Sequence, residues 1–100
     1  MWIGKIGDLV LNRFGELHRV TEILVDNYLQ HGAIIIERLE DCADGKKGSL
    51  NMGSWETVVP YSPDAKIKLK STWEKVYKLY AAWETEKTKW DNLFTQLQKE

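Results

Sequence analysis

Two rhythms of apolar and polar positions run along this chain, and the change from one to the other falls near residue 60. In the last third, Trp73, Val76, Tyr80, Trp83, Trp90, Phe94 and Leu97 recur at spacings of three and four, with Lys87 in the one intervening slot. No Pro or Gly follows Pro63, so the pattern predicts one long amphipathic helix over 62–98. Ser62-Pro63-Asp64 suits its start: a hydroxyl cap, proline at the first helical position and an acid in the first turn. Ser71-Thr72-Trp73-Glu74 offers a rival start that would leave 66–70 alternating as a short strand. Leu69 extends the stripe back from Trp73 and favours the earlier one. From Ser71 to Gln98 alone such a helix would run about 42 Å.

The first sixty residues read as β-structure. Around Asp8–Asn12, Leu9 and Leu11 fall on one face and Val10 on the other, and Arg13-Phe14-Gly15 then turns the chain. A long strand is expected over 17–28, with Leu17, Ile23 and Val25 on one face and Val20 and Leu24 on the other. After a turn at Gln30-His31-Gly32, Ala33–Leu39 carries three successive isoleucines, the mark of a strand covered on both faces. Residues 41–54 are rich in turn formers and read as one long loop of the kind that often carries function. Trp55–Val59 reads as a last strand stopped by Pro60. The fold class is therefore α+β in one domain, 1–100: an antiparallel sheet or barrel of roughly four to five strands over 1–60, then the helix.

A platform of such short strands is about 20–25 Å across and covers about half of the helical stripe. Trp83, Trp90, Phe94 and Leu97 would be left exposed, so the partner-binding or oligomerisation residues are expected to be Trp73, Tyr80, Trp83, Trp90, Phe94 and Leu97. A homodimer or larger self-assembly, or a protein partner, would cover them. Five tryptophans in 100 residues fit an interface of that kind.

Composition narrows the alternatives. The formal net charge is −1, too weak a field to imply nucleic acid or an anionic membrane by itself. Cys42 is the only cysteine, so the fold rests on its core rather than on a disulfide. The longest aliphatic run, 33–36, is far short of the about 20 residues that span a bilayer. The opening MWIGKIGDLV lacks the features of a secretory signal, and a cytoplasmic location is the expectation.

Candidate chemistry is sparse. His18, His31 and Cys42 lie far apart without metal-ligand spacing, so no metal or other cofactor is expected. Glu37, Glu40, Asp41 and Asp44 cluster at the end of the isoleucine strand without the order of a calcium loop, and read as a solvated strand end. Gly45-Lys46-Lys47-Gly48-Ser49 lacks the spacing of a phosphate loop. No nucleophile, base and acid can be assembled, which predicts a non-catalytic chain without a small-molecule substrate. The second function class is a nucleic-acid-binding barrel in which Lys46, Lys47, Lys66, Lys68 and Lys70, with Trp55 and Trp73, form a phosphate track and stacking platforms.

Ile6-Gly7-Asp8-Leu9-Val10, followed by Gly15-Glu16 and Val20, resembles the entry of small barrels of the KOW and Src-homology-3 type. There a Gly-Asp pair precedes a first strand and a Gly-containing turn leads to a second; His18 and Arg19 stand where a further glycine would follow. A strand-rich front with a charged helical tail is also similar to short proteins encoded by bacteriophages. That resemblance implies a protein that binds and inhibits or redirects a host protein, a defence component included.

Overall fold

The structure, a computed structural model, describes residues 2–24, 33–78 and 83–99. Leu9–Leu11 (β1) and Leu17–Leu24 (β2) form an antiparallel hairpin, and Asn12 shapes its turn. The Asn12 Oδ1 atom accepts the N–H groups of Phe14 (3.0 Å) and Glu16 (2.9 Å), a side-chain substitute for backbone turn bonds. Ala33–Arg38 (β3), Leu50–Ser54 (β4) and Val59–Pro60 (β5) complete an antiparallel sheet in the order β4-β3-β2-β1-β5. Because β5 returns to the free side of β1, Pro60 sits on an edge strand, where its missing N–H costs nothing. The edge strands β4 and β5 do not pair with each other, so the sheet remains open rather than closing into a barrel.

Pro63–Lys78 (α1) and Trp83–Lys99 (α2) follow the sheet. The start at Ser62 is real: its Oγ accepts the Ala65 N–H at 3.0 Å, and α1 runs straight through 66–70. The expectation of one continuous helix over 62–98 does not hold. In a straight helix Trp73 and Trp90 would stand about 25 Å apart, whereas their ring centroids are 4.7 Å apart. The chain therefore doubles back, and α2 packs against both α1 and the sheet. Tyr80 and the side chain of Trp83 lie outside the described residues, as do the predicted turn at 30–32 and the end of the 17–28 strand.

Folding back lets sheet and helices together bury Val76, Trp90 and Phe94 of the stripe. One core, between sheet and helices, contains Leu11, Val59, Ala65, Leu69, Val76, Trp90 and Phe94. Trp90 is 7% exposed and Phe94 1%, so these two residues of the patch expected at the end of the helix are interior. Trp73 and Leu97 pack half-buried against the same core. A second core, on the other face of the sheet, contains Val10, Val20, Ile34, Ile36, Trp55 and Val58. Trp2 closes it edge-on against Trp55, with ring centroids 5.4 Å apart. The two cores are tied at the end of α2. There the Gln98 carbonyl accepts the Trp2 N–H at 3.0 Å, and its amide donates to the Trp55 and Val58 carbonyls.

Three local readings also change. A β-bulge between Val20 and Glu22 resets the alternation of β2, so Ile23 packs on the Val20 face instead of the Leu17 face. The predicted loop 41–54 ends in strand: β4 begins at Leu50, after a tight Cys42–Gly45 bridge and a turn at 46–49. Trp55–Thr57 is a 3-10 turn, and only Val59–Pro60 continues as strand. The Thr57 hydroxyl accepts the Ser54 N–H at 3.1 Å and donates to the Ser54 carbonyl at 2.8 Å.

Gly15 is where hairpin and helix meet most closely. Its φ is +74°, and a Cβ there would lie 2.9 Å from the Lys66 carbonyl oxygen. Gly15→Ala should therefore combine left-handed strain with a backbone clash, destabilising the fold by about 1–3 kcal/mol. Urea denaturation checks this, and an unchanged midpoint would contradict it.

Candidate interaction surfaces

Three surfaces bring polar or exposed apolar groups together, while Ile3, Ile6 and Ile67 are exposed elsewhere. The first is a polar corner where the 38–49 segment meets the β1–β2 turn and α1. Arg38, almost fully buried, holds the segment: Nε and Nη2 reach the two Asp44 carboxylate oxygens at 3.2 Å each. Its Nη1 donates to Ser49 Oγ (2.9 Å) and to the Leu50 carbonyl (3.0 Å). Lys66 performs the same task for α1, donating to the Gly15 carbonyl (2.9 Å) and to both Glu40 oxygens (2.7 and 2.9 Å). Glu40 also accepts the Leu17 N–H at 3.2 Å.

Charge chemistry follows from these partners. Burial pushes the Glu40 carboxyl up, but the Lys66 hydrogen bond and the Leu17 N–H outweigh it, leaving the group below the usual carboxylate range. The Arg38 guanidinium lowers Asp44 in the same sense. Burial, followed by the fields of Glu16, Asp44 and Glu40, raises the Cys42 thiol to about 11. Glu16, Cys42 and Asp44 bring potential ligand atoms within 4.8 Å of one another. Their chemistry is poor for a cation. Asp44 already carries Arg38, Glu16 accepts from Asn12 and Ala43, and the thiol is protonated near neutral pH.

The second surface is an open cleft of about 230 Å³ between the hairpin turn and α1, lined by Phe14, Glu16, Ala43, Lys70, Trp73 and Glu74. Phe14 and Trp73 meet edge-on at 4.8 Å, and both lie against Trp90, at 5.8 and 4.7 Å. Arg13 stacks over Trp90 and Phe94, 5.6 and 4.8 Å from the ring centroids, and pairs with Asp91 at 3.0 Å.

The third surface is the part of the sheet that the helices leave uncovered. Leu9, Arg19, Glu37 and Leu50 stand opposite one another in a single cross-strand row, and Glu22, Ile35 and Met52 form the next. Leu9, Leu50 and Met52 are 37, 61 and 65% exposed, with Ile35 half-buried among them. Ile35 is therefore not covered in the way the isoleucine run suggests, although Ile34 and Ile36 on the other face are buried.

The lysines named from sequence do not assemble into a track. Lys66 is consumed in the Glu40 tie, Lys68 pairs with Asp64 at 3.0 Å on another side of α1, Lys70 lines the cleft, and Lys46 and Lys47 sit exposed at the turn before β4. Trp55 is buried in the second core and offers no stacking platform. Sequence reasoning misses exposed Leu9 and the group of Leu50 and Met52 beside Ile35, because that adjacency depends on strand register and because 41–54 reads as loop from residue type. No protein-family model, curated protein or solved structure matches the chain. Among the described residues no helix is long and apolar enough to cross a membrane.

Both lowered carboxylates contribute stability that is complete above their unfolded values of about 4 and is lost as pH falls through their folded ones. Asp44→Asn should be less stable than wild type at neutral pH, with the gap closing on acidification. Denaturation midpoints at a series of pH values test this, and a gap independent of pH would contradict it. The raised Cys42 thiol should react with iodoacetamide at pH 8 on the order of a hundredfold more slowly than a free cysteine.

Proposed function

We propose that this chain is a non-catalytic protein-interaction domain that docks a partner on the part of its sheet that the helices leave uncovered. The carrying observation is that Leu50 and Met52 lie exposed there beside the half-buried Ile35, with Leu9 exposed farther along, on β1. Arg19 and Glu37 separate this group from Leu9, and Glu22 flanks Ile35. Exposed apolar side chains grouped beside charged ones are characteristic of a surface that another protein covers. The helical stripe no longer supplies this argument, because Trp90 and Phe94 are spent on the domain's own core.

Two further observations support a binding role over catalysis. The Cys42 thiol stays protonated near neutral pH. The buried His18 ring has its Nδ1 held by the Glu16 carbonyl at 2.9 Å, which commits one nitrogen to a structural bond. The dispersed lysines give the nucleic-acid reading no continuous surface to use.

Leu50→Glu combined with Met52→Glu places two charges on the face at positions that are largely solvent-exposed, so the fold should survive. In affinity capture from the source cell's lysate, the wild type should retain a protein that the variant binds about tenfold more weakly or loses. Circular dichroism of both forms checks the fold, and light scattering shows whether the retained partner is a second copy of the chain. Capture indifferent to the double substitution overturns the reading. So does tight binding of labelled DNA or RNA that falls steeply with salt.

A further inference from the structure

We propose that the cleft between Phe14 and Trp73 is a receptor for an arginine side chain presented by a protein partner. Its size is the first reason. At about 230 Å³ it falls below small-molecule sites, which run to about 300–1,000 Å³, and matches a single inserted side chain. This surface is separate from the sheet face, although it shares the reading of the chain as a protein-binding domain.

The molecule supplies its own template. Arg13 lies over the Trp90 and Phe94 rings with its guanidinium paired to Asp91, a planar cation on aromatic faces beside a carboxylate. The cleft presents the same ingredients: the Phe14 and Trp73 rings, with Glu16 and Glu74 also in its lining. Here no guanidinium is in place. Glu16 is oriented by Asn12 Nδ2 (2.9 Å) and the Ala43 N–H (3.0 Å), which fix its carboxylate without neutralising it. Glu74 is exposed and has no ion pair among the described residues.

Charge balance favours a cation, since two carboxylates face the single ammonium of Lys70. Arginine suits the site better than lysine. Its guanidinium is flat, more weakly hydrated, and able to stack on a ring while donating in plane to a carboxylate. Lys70 competes for those carboxylates and weakens binding without preventing it.

The test is an NMR titration of the full chain with N-acetyl-arginine amide, its lysine counterpart and the uncharged citrulline isostere. The arginine probe should shift the Ala43 and Glu74 amides and the Trp73 indole N–H saturably, the lysine probe less so, and citrulline not at all. Glu74→Gln should weaken arginine binding by roughly two- to fivefold and Lys70→Ala should tighten it by a similar factor. Both residues are exposed, so spectra elsewhere should be unchanged. Equal response to citrulline, absence of saturation, or insensitivity to both substitutions overturns the proposal. The free probes involve no partner, so such a failure says nothing against the sheet-face reading, and loss of capture by Leu50→Glu/Met52→Glu says nothing against this one.

Discussion

The Trp90 side chain is the joint on which the architecture turns. Its indole N–H donates to the Arg13 carbonyl at 2.7 Å, while its rings lie against Trp73 of α1 and Phe14 of the β1–β2 turn. One side chain thus couples the hairpin turn, the first helix and the second. A polar atom buried at such a point is tolerable only with its bond made, and the Arg13 carbonyl provides it. The doubling back of the helices, the burial of Phe94 and the stacking of Arg13 all presuppose that contact.

Much of the fold could be read from residues 9–11, 33–38 and 62–69, because their signals are local. Alternation places Val10 and Leu11 on opposite faces, β-branching marks the isoleucine strand, and Ser62-Pro63-Asp64 caps a helix. What escaped reading was long-range. A stripe at heptad spacing looks the same whether it lies along one helix or folds on itself, since each half keeps its period. Val76 and Trp90 therefore fit a single long helix as well as they fit a hairpin. Likewise Leu50-Asn51-Met52-Gly53-Ser54 carries little strand propensity and pairs only because β3 offers it a ladder.

The candidate surfaces were less legible for the same reason. Glu22, Ile35 and Met52 become neighbours through register alone, and the bulge after Val20 shifts that register in a way no residue type announces. Lys66 shows the converse. By residue type it belonged to a basic track, yet its position against Gly15 and Glu40 makes it a bolt between helix and hairpin. Trp73 had both signals, an aromatic on a helix face and lysines nearby, and its cleft required the turn at Phe14 to come alongside.

The outer edge of β4 bears on how anything can approach this sheet. In an antiparallel ladder alternate residues turn their backbone groups outward, and with Arg38 bonded to Ser49 those residues are Leu50, Met52 and Ser54. Arg38 occupies the Leu50 carbonyl and the Thr57 hydroxyl occupies both groups of Ser54, so the row is interrupted at each end. A sixth strand would find only Met52 and the Leu50 N–H to pair with. Neighbouring molecules are thereby denied the zipper that turns open-edged sheets into fibres. Recognition on this side of the molecule is left to side-chain shape and charge, which discriminate between sequences in a way that backbone pairing does not.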